Sequence, residues 1–383
     1  MQDNQIKREY RGKSTYYIFV FLLTILEFLS VYSSAHNMSF QIYSLITIIT
    51  ASIMGFIGIT IFLTTEFDFK KIGFLFALFI IYWSSNFNNF WMVPICIAVS
   101  FANFTLYDLI CAYCTSNLVT LVITVFLAVV GLAPMNNPAD GVLSLGFATQ
   151  SALGLVLTLI SFIFVLEIVK YKKNTKYYLF KIFFILFGFI LKIVVLDDRT
   201  MTWTFLVFLV LIMIFRLNKK FIIILMKIIG LVSPFLLLYI SWKLTTNYIS
   251  SNFFYELDNF FSHRLLMWNW YYQKAPISLF PNTFRLSDFN YWGTIDGSYA
   301  LLLLQYGIIM ALIVCFLLAL CNYLLLKYKH YGVFCMMLSL ELAAFVENIL
   351  QFYVGAIPLI LMLLILNVGW LKNNILELVK ENK

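Results

Sequence analysis

Three arginines in this 383-residue chain sit among residues that could act on a phosphate. Arg199 lies in Leu196-Asp197-Asp198-Arg199-Thr200-Met201-Thr202, and Arg264 opens the stretch His263-Arg264-Leu265-Leu266-Met267-Trp268. Arg285 follows two prolines, Pro276 and Pro281. A guanidinium is a planar, permanently charged fork of donors that matches phosphate oxygens and can take up charge developing on a phosphate leaving group. Each arginine also has a plainer reading. Arg199 would be an interfacial anchor neutralised by its two aspartates. Arg264 would stack on the indole of Trp268, one helical turn along the same face. Arg285 would be a solvated loop charge.

Carboxylates supply the complementary chemistry. Asp296 occupies Gly293-Thr294-Ile295-Asp296-Gly297-Ser298-Tyr299, where it could cap a helix or serve as a general base. Glu27, Glu167, Glu341 and Glu347 fall within apolar stretches, Glu347 nearest the expected outer surface, and each could instead satisfy a neighbouring helix. The six cysteines and three histidines show no metal-ligand spacing, and Cys111-Ala-Tyr-Cys114 sits at an expected inner turn without further partners. The chemistry expected is therefore free of metal and cofactor.

The elements that must position these groups follow from composition. Hydrophobic residues make up 62% of the chain and charged residues 11%, far from the balance of a soluble protein, and 40 Phe, 23 Tyr and 8 Trp are present. Apolar runs of spanning length recur along the chain. The expectation is an all-α polytopic membrane protein with about twelve spans, near 16–34, 40–64, 71–84, 90–107, 113–133, 147–169, 178–196, 201–217, 221–243, 299–326, 332–347 and 350–370. Little polar sequence is left for a soluble catalytic domain, a nucleotide cassette or a nucleic-acid module, and the net charge of +8 reads as topology rather than nucleic-acid binding. No small-residue cleavage site follows the basic start at Lys7, Arg8, Arg11 and Lys13.

With twelve spans and the N-terminus inside, 20 of the 26 basic residues fall on the inner side, which places both termini in the cytoplasm. The six on the outer side or in the outer half of a span are Lys192, Arg199, Lys243, Arg264, Lys274 and Arg285. Residues 244–298, 55 in all and 15 of them aromatic, form one long outer loop between the ninth and tenth spans. So apolar a loop predicts two short helices on the membrane surface, roughly 253–262 and 263–275, ended by Pro276 and Pro281.

In order, these pieces resemble the Wzy-type O-antigen and capsular polysaccharide polymerases and the related O-antigen ligases. The resemblance covers roughly residues 140–315. It rests on the outer turn before Arg199, on Arg264 and Trp268, and on Asp296-Gly-Ser-Tyr299 leading to Tyr306-Gly307. Ser144-Leu145-Gly146-Phe147 matches a further segment in part, with Val142 at a position that is commonly basic and Ala148-Thr149-Gln150-Ser151 in place of His-Pro-Asn.

The resemblance implies a GT-C-like fold in the plasma membrane of a bacterium, with its site on the outer face. It implies a glycosyltransferase that moves a growing glycan from undecaprenyl diphosphate onto a lipid-linked repeat unit. Arg199 and Arg264 would then hold the donor diphosphate. Asp296 would stand where the ligases have a base, and Trp268, His263, Tyr299, Arg285 and Glu347 would line the substrate site. A flippase and a chain-length co-polymerase would be the partners. The alternatives are a ligase of the same fold, which the missing ligase-like histidine disfavours, and a lipid-linked oligosaccharide flippase or transporter, which would be expected to show two related halves.

Overall fold

A computed structural model describes residues 2–32, 40–64, 69–85, 89–136, 141–170, 175–217, 219–248, 252–282, 295–350 and 355–376. Among these the protein is helical, with isolated bridges at Tyr32–Phe147 and Asn136–Leu143 and no extended strand. The chain divides into two compact units.

The first unit takes in residues 1–71, 93–202 and 352–354. It contains α1 (Gln2–Val31), α2 (Phe40–Thr64), most of α4 (Asn89–Phe101), α5 (Leu106–Val129), α6 (Gln150–Lys170) and α7 (Thr175–Ile190), the last extended by a π turn over Leu191–Val195. The α5 helix begins with a capping box. Thr105 accepts the Asp108 N–H, and the Asp108 carboxylate accepts the Thr105 N–H. The chief packing of this unit is α1 on α5, with α6 between α5 and α7.

The second unit takes in residues 72–92, 203–351 and 355–383. It holds most of α3 (Phe69–Ser84) and α8 (Arg199–Arg216), then α9 (Lys220–Thr246), α10 (Asn252–Phe260) and α11 (Arg264–Lys274). The short α12 (Ser298–Leu301) runs through a π turn at Leu302–Tyr306 into α13 (Gly307–Lys327), followed by α14 (Tyr331–Ala343), α15 (Ile357–Leu364) and α16 (Val368–Leu371). Helices α9 and α13 form the most extensive pair. Pro234 interrupts the hydrogen-bond ladder of α9 and frees the Gly230 carbonyl, which accepts instead from Asn322 Nδ2 of α13 at 3.2 Å. The same amide donates to both oxygens of Glu341, so this buried acid serves a neighbouring helix. In the first unit, Glu167 of α6 likewise pairs with Lys181 of α7 at 2.5 Å.

Eight described helices are long and apolar enough to cross a membrane, or nine if the bent pair 357–364 and 368–375 counts as one span. This departs from the expected twelve. The stretch 71–84 is a helix of 16 residues, while 90–107 and 332–347 give helices of 13. A helix of 13 residues rises only about 20 Å, short of a hydrocarbon core of about 30 Å. The stretch 350–370 is broken by a 100° bend. Apolar residues predict burial or lipid contact, and helix length decides whether a segment spans. Cys111 and Cys114 prove to lie inside α5 rather than at a turn. Phe56, Phe79, Phe183 and Phe221 expose much of their rings, as lipid-facing side chains of a membrane protein would.

Candidate functional site

The expected pair of short helices forms as α10 and α11, within a residue or so at most ends. The turn between them passes through two left-handed residues, Ser262 and His263. Asp258, at the end of α10, is buried and accepts the Leu266 N–H at 3.0 Å, placing a carboxylate at the start of α11 where free N–H groups and the helix dipole favour it. His263 Nδ1 stands 3.4 Å from the other Asp258 oxygen, but most of its side chain faces outward. The α11 helix seats Leu265, Trp268 and Tyr271 in the interior and lies against α9, where Asn269 Nδ2 donates to the Thr245 carbonyl.

Arg264 is the first residue of α11 and its side chain is 15% exposed. Its Nη2 donates to Glu347 Oε1 at 2.5 Å, and its Nε lies 3.5 Å from Asp296 Oδ2. Nη1 makes a long contact of 3.5 Å with the Phe261 carbonyl. One guanidinium is thus shared by two carboxylates that are 83 and 32 positions away in sequence. Nε is buried and, at 3.5 Å, is not engaged in a hydrogen bond.

The segment bearing Asp296 is pinned from behind. The Ser298 N–H donates to the Ala344 carbonyl at 2.8 Å, and its hydroxyl donates to the Glu347 carbonyl at 3.0 Å. Asn348 Nδ2 donates to the Ile295 carbonyl at 2.5 Å and approaches Asp296 Oδ1 at 3.3 Å. Trp268 Nε1 donates to the Asp296 carbonyl. Gly297, with φ of +94°, crosses the Trp268 ring so closely that a Cβ would meet Cζ2 at 2.5 Å and the Phe345 carbonyl at 2.9 Å. Only glycine fits both the dihedral and the space. Burial pushes the Asp296 carboxyl up from the ordinary range, and the Arg264 charge works against that rise. Its side chain remains 40% exposed, the most accessible of the three charged groups.

Several expectations change here. Trp268 is fully buried and braces the loop, stacking edge-on to Phe345 rather than under the Arg264 guanidinium. Asp296 is not a helix cap. Gly297 holds the N-cap position, and the Asp296 side chain turns to Arg264. Tyr299 is fully buried, and its hydroxyl has no hydrogen-bond partner, so it offers no surface to a sugar. Arg285 lies outside the described residues. Asn348 and Ser298 escaped the sequence reading. Their only signal was polarity beside Glu347 and Asp296 in otherwise apolar flanks.

Arg199 belongs to the first unit. Its side chain is 80% exposed and meets the equally open Asp197 at 3.7 Å. Asp198 does not neutralise it. That side chain is buried, accepts the Met201 N–H at 3.1 Å as the cap of α8, and lies against Gly154. Lys192 is also buried and donates to the Thr158 hydroxyl at 2.8 Å.

Chemically, the cluster in the second unit offers a guanidinium with one edge held by Glu347 and another facing a half-open carboxylate. It can bind an anion if Arg264 turns from Asp296, and Asp296 can take a proton. Among the described residues no three His, Cys, Asp or Glu side chains group as metal ligands. No family model matches the chain, and no curated protein or solved structure matches it either.

Proposed function

We propose that the protein is a polysaccharide repeat-unit polymerase of GT-C-like architecture in a bacterial plasma membrane, working on glycans carried by undecaprenyl diphosphate. The observation that supports this reading is the Glu347–Arg264–Asp296 cluster, in which one half-buried guanidinium lies between a nearly closed carboxylate and an accessible one.

In the reaction, a hydroxyl oxygen of the acceptor sugar attacks the anomeric carbon of the donor. The bond from that carbon to the diphosphate oxygen breaks, and the hydroxyl proton passes to Asp296. Undecaprenyl diphosphate leaves with the electron pair and one more negative charge. Arg264 stabilises that charge, an effect of about 3 kcal/mol for a well-placed donor in a site shielded from water.

The geometry couples the two roles. Arg264 stands against Asp296 before the donor arrives, and a diphosphate would compete for the same guanidinium. Drawing the cation toward the phosphates removes the influence that holds the Asp296 carboxyl down, so the base strengthens when the donor is bound. Glu347 keeps its hold on Nη2 and prevents Arg264 from swinging free.

The test is incubation of the purified protein with lipid-linked repeat units in the presence of EDTA. A ladder of products that disappears in Arg264→Ala is expected. Competent substrate that yields no ladder would argue for a ligase or a transporter instead.

A further inference from the structure

The first unit contains a second polar site that glycosyl transfer does not use. Glu27 of α1 is completely buried one turn, about 6 Å, before the end of that helix. Its Oε1 accepts from Asn117 Nδ2 of α5 at 3.2 Å, whereas Oε2 has no hydrogen-bond partner. Among the described residues no basic side chain pairs with it. Bare carboxylate charge in a membrane span is costly, and its presence calls for a neutralising partner.

The same face of α5 and the segment packed on it carry further buried oxygens. Asn117 Oδ1, Thr120 Oγ1, Thr124 Oγ1 and Ser144 Oγ are all buried and without hydrogen-bond partners. Their alignment is not incidental. Thr120 and Thr124 follow Asn117 by three and seven positions, one face of a helix, rising about 4.5 and 10.5 Å along it. Hydroxyls in helices ordinarily bond back to the carbonyl four residues earlier, as Thr24, Thr50, Thr60, Thr115 and Ser161 do here. Thr120 and Thr124 forgo that bond.

The segment Ser144–Phe147 closes the file at the α1 end. Phe147 is fully buried and bridges to Tyr32, the Ala148 N–H donates to the Val31 carbonyl at 2.7 Å, and Gly146 packs so tightly on Thr124 that a Cβ would meet the Thr124 carbonyl at 2.8 Å. The segment turns through two left-handed residues, Leu145 and Gly146, to enter.

We propose that Glu27, Asn117 and Thr120 form a binding site for a sodium ion. A carboxylate, a carboxamide and a hydroxyl are hard oxygen donors, with no sulfur or imidazole among them, and the single anionic ligand matches a monovalent charge. The other titratable groups nearby are Tyr113 and Cys114 of α5, both neutral in their ordinary state, while Glu167 of α6 is committed to Lys181. Ion binding joins α1 and α5, so occupancy stabilises this unit.

The experiment is thermal unfolding of the purified full chain in detergent, titrating sodium chloride against choline chloride at constant ionic strength and pH. The expected result is a saturable rise in unfolding temperature with sodium, absent with choline and lost in Glu27→Gln. Thr120→Val should raise the sodium midpoint roughly tenfold, the loss of one good ligand. Binding of radiolabelled sodium to the wild-type protein gives an independent readout. Wild-type protein that stays monodisperse but neither binds the label nor responds to sodium overturns the proposal. Stability that follows pH and ignores sodium overturns it as well, because Glu27 would then be neutralised by a proton.

Discussion

Replacing Glu347 by Gln tests whether Arg264 is shared between two carboxylates. The Nη2–Oε1 separation of 2.5 Å and the Nε–Oδ2 separation of 3.5 Å correspond to gross attractions of about 7 and about 5 kcal/mol at an effective dielectric of about 20. Desolvation takes back much of both, and solvent screens the second further because the Asp296 side chain is 40% exposed. Removing one member of a buried pair usually costs about 3–5 kcal/mol because the other charge is stranded. Here Asp296 stands ready to take the cation, so Glu347→Gln should cost about 2 kcal/mol, below that range. Asp296→Asn alone should cost under about 1 kcal/mol, as exposed pairs do. In the double variant the guanidinium has no counter-ion, and the loss should exceed the sum of the single losses by about 1 kcal/mol or more. Denaturant titration of the four proteins in detergent, followed by tryptophan fluorescence, measures the cycle. The Ser298 bonds reach the backbone of residue 347 and survive the substitution, so the loop should stay in place. Additivity within about 0.3 kcal/mol would refute the sharing of one cation by two carboxylates.

Under the proposed function, Arg264→Ala should lower polymer synthesis by about two orders of magnitude, in line with the loss of one charge-stabilising donor, while lipid-linked single units accumulate; normal polymer in cells would count against that proposal. Gly297→Ala should destabilise the protein by about 2–4 kcal/mol through strain at a positive φ and collision with Trp268, visible as a lower unfolding temperature, and wild-type stability would contradict the close approach. Burial raises the Asp296 carboxyl above its unfolded value, so the folded state holds that proton more tightly. The contribution to stability is therefore present below the ordinary carboxylate range and lost as pH rises through the folded value, and Asp296→Asn should flatten that part of the stability–pH curve.

The helical class, the eight long helices, the paired short helices α10 and α11 and their end before Pro276 were legible in the sequence, because hydropathy, length and proline act locally. The short spans were not. Residues 90–107 and 332–347 are as apolar as the long helices, but their helices stop early, and the bend between 364 and 368 is marked locally only by Asn367, whose side chain caps the next helix. Arg264, Asp296 and Glu347 were each visible as unusual charges in an apolar chain. The plainer roles considered for two of them, Trp268 stacking for Arg264 and helix capping for Asp296, depend on near neighbours and did not form.

What the sequence determined by itself is that this chain must bury or face lipid with most of its residues, and that its few charges must therefore be accounted for one by one. Which charge meets which was decided by tertiary structure. The pairing of Arg264 with Glu347 spans 83 positions, and that of Glu27 with Asn117 spans 90. Pairing across such distances is set by how helices pack and how loops are pinned, by Ser298 on the turn before Glu347 and by Gly146 on α5. A local pattern holds no record of it, because the attraction between two charges depends on their separation in space and on the water excluded around them.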